Sequence, residues 1–296
     1  MVTYGYYPGC SLHSTASEYD ISFKLVCQHL GIELAEVPDW ICCGTSPAHS
    51  SSHLLSVALP AKNLQLAEQS GQNEVVIPCA SCFSRFKFAQ YEITYQPDLR
   101  EKINEIIAEV PPDGGKADFQ NTVKVSHPLE IFNQLDRAAL KKRVIKDLSY
   151  LRTVCYYGCL LTRPPKVVSQ QPFGHYEYPM IMDRILEKVG VTILDWSAKT
   201  DCCGAAFALS ETDAVLKLTN EILANARAVG ANAIAVACPL CQANLDTRQA
   251  EIEQKYQVSY GIPILYFTQL MGLSFGFKPA ELGLFKHLVS PKPLLV

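Results

Sequence analysis

The stretch NEVVIPCASC, residues 73–82, is answered 159 positions later by NAIAVACPLC, residues 232–241. Each is a short apolar run that ends in a Cys-x-x-Cys pair. An apolar run of this length, closed by turn residues, suits a strand buried on both faces, as in a parallel sheet flanked by helices. A Cys-x-x-Cys directly after such a strand lies at the carboxyl end of the sheet, where open α/β sheets build their sites. Two copies of that unit predict a duplicated α/β chain.

The rest of the sequence extends the match. YYPGCSL around Cys10 faces YYGCLL around Cys159, LGIEL at 30–34 faces VGVTI at 189–193, and DWICCG faces DCCGAA around the adjacent cysteine pairs. The offset is 149 at the first cysteine and 160 at the adjacent pair, so the second half carries extra residues in its first spacer, within RPPKVVSQQPFGHY at 163–176. Self-similarity at a long, fixed period marks a repeat. Segments 3–10 and 152–159 alternate and are rich in Tyr and Val, as strands are. Residues 16–31 and 178–190 have apolar residues at helical spacing and stop at Gly31 and Gly190; segments 54–71 and 211–230 are helical in each half. The predicted organisation is a first lobe over 1–110, a linker and inter-lobe segment over 111–150 containing PPDGGKAD, and a second lobe over 151–296.

Composition bounds the chemistry. Of 296 residues, 48% are hydrophobic and 19% charged, enough for a substantial core. A net charge of −3 and the lack of any Lys/Arg-rich run exclude a polyanion-binding surface, so nucleic acid is not an expected partner. No window approaches the roughly 18 uninterrupted apolar residues of a membrane helix. The first ten residues show no basic leader followed by an apolar stretch, so a soluble, intracellular protein is expected. In that setting the twelve cysteines, grouped rather than scattered, point to metal or redox work.

Each half supplies one cysteine, an adjacent pair and a Cys-x-x-Cys: Cys10, Cys42, Cys43, Cys79 and Cys82, then Cys159, Cys202, Cys203, Cys238 and Cys241. A tetrahedral zinc takes four ligands, often from two Cys-x-x-Cys knuckles. Five thiols with two of them adjacent suit a centre of several metal atoms better, because neighbouring side chains diverge toward different ions. Soft thiolates then favour iron–sulfide. Zinc and plain thiol–disulfide redox remain as alternatives on spacing alone.

Together with PCASC, SHPLEIF, YYGCLLTRP, CPLCQ and ILYFTQLMGLSFG, the doubled Cys-Cys-Gly motif resembles the cysteine-rich CCG-domain family, and the chain from about residue 4 to 276 is similar to the B-type subunits of heterodisulfide reductases. The resemblance implies two pseudo-symmetric, Rossmann-like α/β lobes facing each other. It also implies a noncubane [4Fe-4S] cluster in each, held by the five cysteines of that lobe. Its implied reaction is reduction, between the two clusters, of a disulfide: the mixed disulfide of coenzyme M and coenzyme B or a related one. Electrons would come from a ferredoxin-like iron–sulfur partner (the C-type subunit) fed by a flavoprotein partner (the A-type subunit), in the cytoplasm. This chain shows neither GxGxxG nor a Walker loop, so no flavin or NAD is expected on it.

Other residues carry weaker expectations. Cys27, on a helical apolar face, reads as a buried, inert thiol. Cys155 competes with Cys159 as the counterpart of Cys10; the shared Tyr-Tyr context favours Cys159. His127, in KVSHPLEIF, is the candidate catalytic proton donor to a departing thiolate, against a role capping the next helix or linking the lobes. Arg163 and Lys166 are candidates to meet an anionic substrate, His49 and His53 read as surface or helix-start residues, and Gly44 and Gly204 as serving backbone geometry, letting the chain pass close to a bulky group.

Overall fold

The computed structural model describes residues 2–45, 47–108, 119–168 and 175–295; PPDGGKAD and part of the extra spacer of the second half lie outside them. Two four-stranded sheets form. The first contains β1 (Val2–Tyr6), β2 (Ile32–Glu36), β3 (Glu74–Val76) and β4 (Lys124–Ser126) in the order β2-β1-β3-β4. The second contains β5 (Arg152–Tyr156), β6 (Thr192–Ile193), β7 (Ala233–Val236) and β8 (Ile264–Tyr266) in the order β6-β5-β7-β8. Every pairing is parallel. The Ala-Ile-Ala-Val of β7 is buried throughout, as a strand covered on both faces must be.

The two sheets share one register. Tyr6 pairs with Val76 in the first and Cys155 with Ala235 in the second, so Tyr6 is the counterpart of Cys155. The same step makes Tyr7 equivalent to Tyr156 and Cys10 to Cys159, which settles the choice between Cys155 and Cys159. Cys155 points into the core of β5 and is fully buried. The fold is α/β with two similar lobes, as expected.

Residues 111–150 do more than link. β4, within that segment, completes the first sheet, and β8 is its counterpart in the second. Three-residue strands with a polar end leave almost no periodic signal, so only β4's pairing reveals it. The helix after each of these strands crosses to the other lobe. Pro128–Asn133 packs on Ile181–Lys188, and Phe267–Ser274 packs on Ser17–His29. Tyr19 stacks on Tyr266 with centroids 4.2 Å apart and planes at 7°, and the Ser22 and Thr268 hydroxyls meet at 2.7 Å. The core is continuous across both lobes.

Candidate metal centre and the cavity beside it

The first cysteine of each set follows the first strand of its lobe, the adjacent pair lies in an irregular loop after the edge strand, and the Cys-x-x-Cys opens the helix after β3 or β7. Cys79 and Cys238 stand directly ahead of the helices Ala80–Tyr95 and Pro239–Thr247. All five therefore gather at the carboxyl end of their sheet. All twelve cysteines are free thiols.

Matched contacts shape the two sets. Cys43 Sγ lies 3.1 Å from Cys82 Sγ, and Cys203 Sγ lies 3.7 Å from Cys241 Sγ. The amides of Gly44 and Gly204 donate to the sulfurs of Cys42 and Cys202 at 3.5 and 3.4 Å, and both glycines have φ of 74°. Hydrogen bonding with Cys82, then with Thr45, holds the Cys43 thiol down to about 6, with a smaller pull from Arg85; the bond from Cys159, then the Gly204 amide, holds Cys202 down to about 6, with a smaller pull from Arg163. The sets also meet: the neighbouring thiols of Cys79 and Cys238 shift one another, that of Cys79 up and that of Cys238 down.

Two tyrosines, not singled out in the sequence, tether the adjacent pairs. Tyr7 donates to the carbonyl of Ile41 at 2.8 Å and Tyr156 to that of Asp201 at 2.6 Å, the residues just before each Cys-Cys. Their repetition at matching positions was the available signal.

A cavity of about 280 Å³ opens beside the second set, lined by Cys159, Cys202, Cys203, Cys238 and Cys241. The first lobe completes the lining, with Arg85, His49, Thr45 and Ser81. Arg85 donates to Nδ1 of His49 at 3.1 Å. His49 is thus a cavity residue, not only a surface one; it has no repeated counterpart, so comparing the halves passed over it. His53 stays at the surface against Glu92, at 3.0 Å. Lys166 lies over the ring of Tyr91, 5.7 Å from its centroid, and neither it nor Arg163 lines the cavity. Cys27 is buried in Ser17–His29, where burial raises its thiol pKa.

His127, the candidate proton donor, stands at the start of the helix Pro128–Asn133. It is 0% exposed. Its Nδ1 accepts from the amide of Leu129 at 3.3 Å, and its Nε2 faces the carbonyls of Pro78 at 3.0 Å and Ala237 at 3.2 Å. Burial pushes its pKa down to about 4. Both nitrogens are held by main chain, and the ring caps the following helix.

Whether the residues fit a bulky metal–sulfide group can be tested at the glycines. A Cβ at Gly158 would stand 2.9 Å from Cys241 Sγ, and one at Gly9 would stand 3.2 Å from Cys82 Sγ. Each lobe thus keeps bare backbone against a thiol at the same place. Five soft donors around one space, with the side-chain volume removed beside them, fit an iron–sulfur group.

A family model described as a cysteine-rich domain, CCG, matches residues 4–87 and again residues 153–246. The chain is 29% identical over 291 residues to the 8-methylmenaquinol:fumarate reductase membrane anchor subunit of Wolinella succinogenes, covering 98% of each. It is 27% identical over 285 residues to the B-type subunit of the Ferredoxin/F(420)H(2)-dependent CoB-CoM heterodisulfide reductase of Methanosarcina acetivorans, covering 95% of this chain and 92% of that one. A protein of Archaeoglobus profundus, named for its likeness to the same heterodisulfide reductase component, is 25% identical over 290 residues, 96% of this chain and 94% of that one. A solved structure, a hypothetical protein from Helicobacter pylori, shares the fold with a TM-score of 0.77 at 13% identity over 97% of this chain, which spans 52% of that one. Among the described residues no helix is long and apolar enough to cross a membrane. With the domain matched twice and both five-cysteine sets complete, the chain belongs to the cysteine-rich CCG-domain family.

Proposed function

We propose that this chain is the disulfide-reducing component of a cytoplasmic, heterodisulfide reductase-like complex. The carrying observation is the cavity at the junction of the lobes, lined by all five thiols of the second set together with Arg85, His49, Thr45 and Ser81 of the first lobe. Cys10, Cys42, Cys43, Cys79 and Cys82 would hold one noncubane [4Fe-4S] cluster, and Cys159, Cys202, Cys203, Cys238 and Cys241 the other. When bound, these clusters supply electrons and soft, Lewis-acidic iron suited to thiolate sulfur.

The chain's own residues bind and orient the substrate. Disulfide cleavage takes two electrons and two protons and yields two thiols. A disulfide in the cavity presents its sulfur–sulfur bond to the cysteine wall while Arg85 and His49 face its polar end. Arg85 makes no ion pair among the described residues, so its guanidinium is available to an anionic substituent. The mixed disulfide of coenzymes M and B, which the relatives' names carry, is one such anion. Electrons would arrive from a ferredoxin-like iron–sulfur partner and a flavoprotein partner, the C-type and A-type components of such a complex.

A second reading is favoured by the Wolinella relative, whose name is that of a quinol:fumarate reductase component. On it, the chain passes electrons within a complex whose acceptor is not a disulfide. The test uses anaerobically purified protein: iron and acid-labile sulfide per chain, then EPR of oxidised samples with and without added thiols. About eight irons with matching sulfide and a signal that shifts with thiol support the disulfide reading. A signal indifferent to thiols moves the chain to the second reading, and zinc in place of iron overturns both.

A further inference from the structure

His127 stands where the duplication has to break. The shared register makes Pro78 and Ala237 equivalent: each is the residue between the apolar run of β3 or β7 and the first cysteine of its Cys-x-x-Cys. Nε2 of His127 is 3.0 Å from the Pro78 carbonyl and 3.2 Å from the Ala237 carbonyl. Carbonyls only accept, so Nε2 carries the proton and one N–H is shared between two equivalent acceptors. An atom bonded to equivalent carbonyls of both halves stands between the two strand ends and belongs to neither repeat alone.

Only one side chain fits between the two carbonyls. By the register of β4 and β8, the counterpart of His127 is Tyr266, and it turns aside to stack on Tyr19. The residues immediately after the two carbonyls are Cys79 and Cys238, the first cysteines of the two Cys-x-x-Cys pairs. The imidazole is itself held firmly. Its main-chain amide donates to Glu130, Nδ1 accepts from Leu129, and Phe83 packs edge-on at 5.7 Å.

We propose that His127 is a positioning residue that sets the separation and relative orientation of the two cysteine sites, by tying together the strand ends that begin both Cys-x-x-Cys loops. The proposal rests on the reading that both sites hold iron–sulfur clusters. Second-sphere groups of this kind hold a constellation to within about 0.5 Å, the tolerance that two-sided chemistry at paired centres needs.

The test compares His127→Met, which fills the space without a donor, with His127→Gln, whose amide nitrogen reaches the place of Nε2. His127→Asn, whose amide stops at the place of Nδ1, serves if the methionine variant does not fold. Iron per chain and the spin–spin interaction between the two clusters by EPR are measured in each. The expected result is full iron loading in all soluble variants. The intercluster splitting should be reduced in His127→Met and His127→Asn and restored in His127→Gln. Full loading with wild-type splitting in His127→Met and His127→Asn overturns the proposal, as does a splitting in His127→Gln as reduced as theirs. Absence of iron from the wild-type protein overturns the cluster reading instead, so the two failures are distinct.

Discussion

Gly158 shows how a single atom guards the centre. Its φ of 66° already favours glycine, and an added Cβ would meet Cys241 Sγ at 2.9 Å. Gly31 has a φ of 75° with nothing within 4 Å of its added Cβ, so it isolates the backbone strain, about 1–2 kcal/mol for an L-residue. Gly158→Ala should lose about half the iron of the wild-type chain under the two-cluster reading, while Gly31→Ala keeps it. Iron assay of the two purified variants decides, and equal iron in both would remove the cradle argument. Glu130 carries a pH dependence. Burial raises its carboxyl to about 7, against the amide of His127, Lys87 and Lys124, with Glu74 adding to the rise. A carboxyl with a raised folded pKa stabilises fully below its unfolded value, about 4.5, and that contribution is lost as pH rises through about 7. His127 acts oppositely: its folded pKa of about 4 gives stability above about 6.5 that is lost as pH falls. Only the difference between variants isolates Glu130. Glu130→Gln should gain on wild type between pH 5 and 8 by on the order of 2 kcal/mol, read from urea unfolding at both pH values.

At the scale of elements, the second lobe is fastened by a buried network. Lys199 pairs with Asp183, each 1% exposed at the side chain, and Tyr157 donates to the other carboxylate oxygen at 2.6 Å. The Lys199 carbonyl in turn accepts from the amide of Tyr157 at 2.8 Å. Helix Ile181–Lys188, the end of β5 and the loop before Cys202 are thereby fixed to one another. The first lobe uses a more open arrangement, with Tyr6 and Lys24 on Asp20 at 2.5 and 2.9 Å. Lys199→Met leaves a buried carboxylate unpaired and should cost about 3–5 kcal/mol, most of it recovered when Asp183→Leu is added. Denaturant midpoints of the single and double variants check this; a small single-variant cost would show that water enters the site. What the sequence made legible follows the same divisions. β3, β7 and their cysteine pairs were readable because the apolar runs are continuous, and Ser17–His29 because its period ends at Gly31. β4 and β8 are too short to show a period. Cys155 stayed ambiguous because matching Tyr6-Tyr7 to Tyr156-Tyr157 slips the register by one residue, and a one-residue slip exchanges the faces of a strand. Arg85 and His49 were illegible for another reason: they reach the second site from the first lobe, and a comparison of halves sees only what repeats.

On the scale of the molecule, the halves resemble one another yet neither is self-contained. The helix Phe267–Ser274 is buried along its whole length, and its neighbours include Ser17–His29 of the other lobe. Tyr19 and Tyr266, both fully buried, meet only when the lobes are together. The ring of His127 likewise needs carbonyls from both. Separating the halves would expose large aromatic and aliphatic faces to water at about 25 cal/mol per Å² and leave buried polar groups without partners. A chain cut between Arg143 and Lys146, expressed as two pieces, should therefore give aggregated or loosely packed halves singly. The same pieces should form a cooperative, iron-binding assembly when produced together. Sedimentation and thermal unfolding of each piece alone, then of the pair, provide the measurement. A monomeric half that unfolds cooperatively and binds its own complement of iron would mean that the shared core is incidental, and that the two sites were joined only to lie side by side.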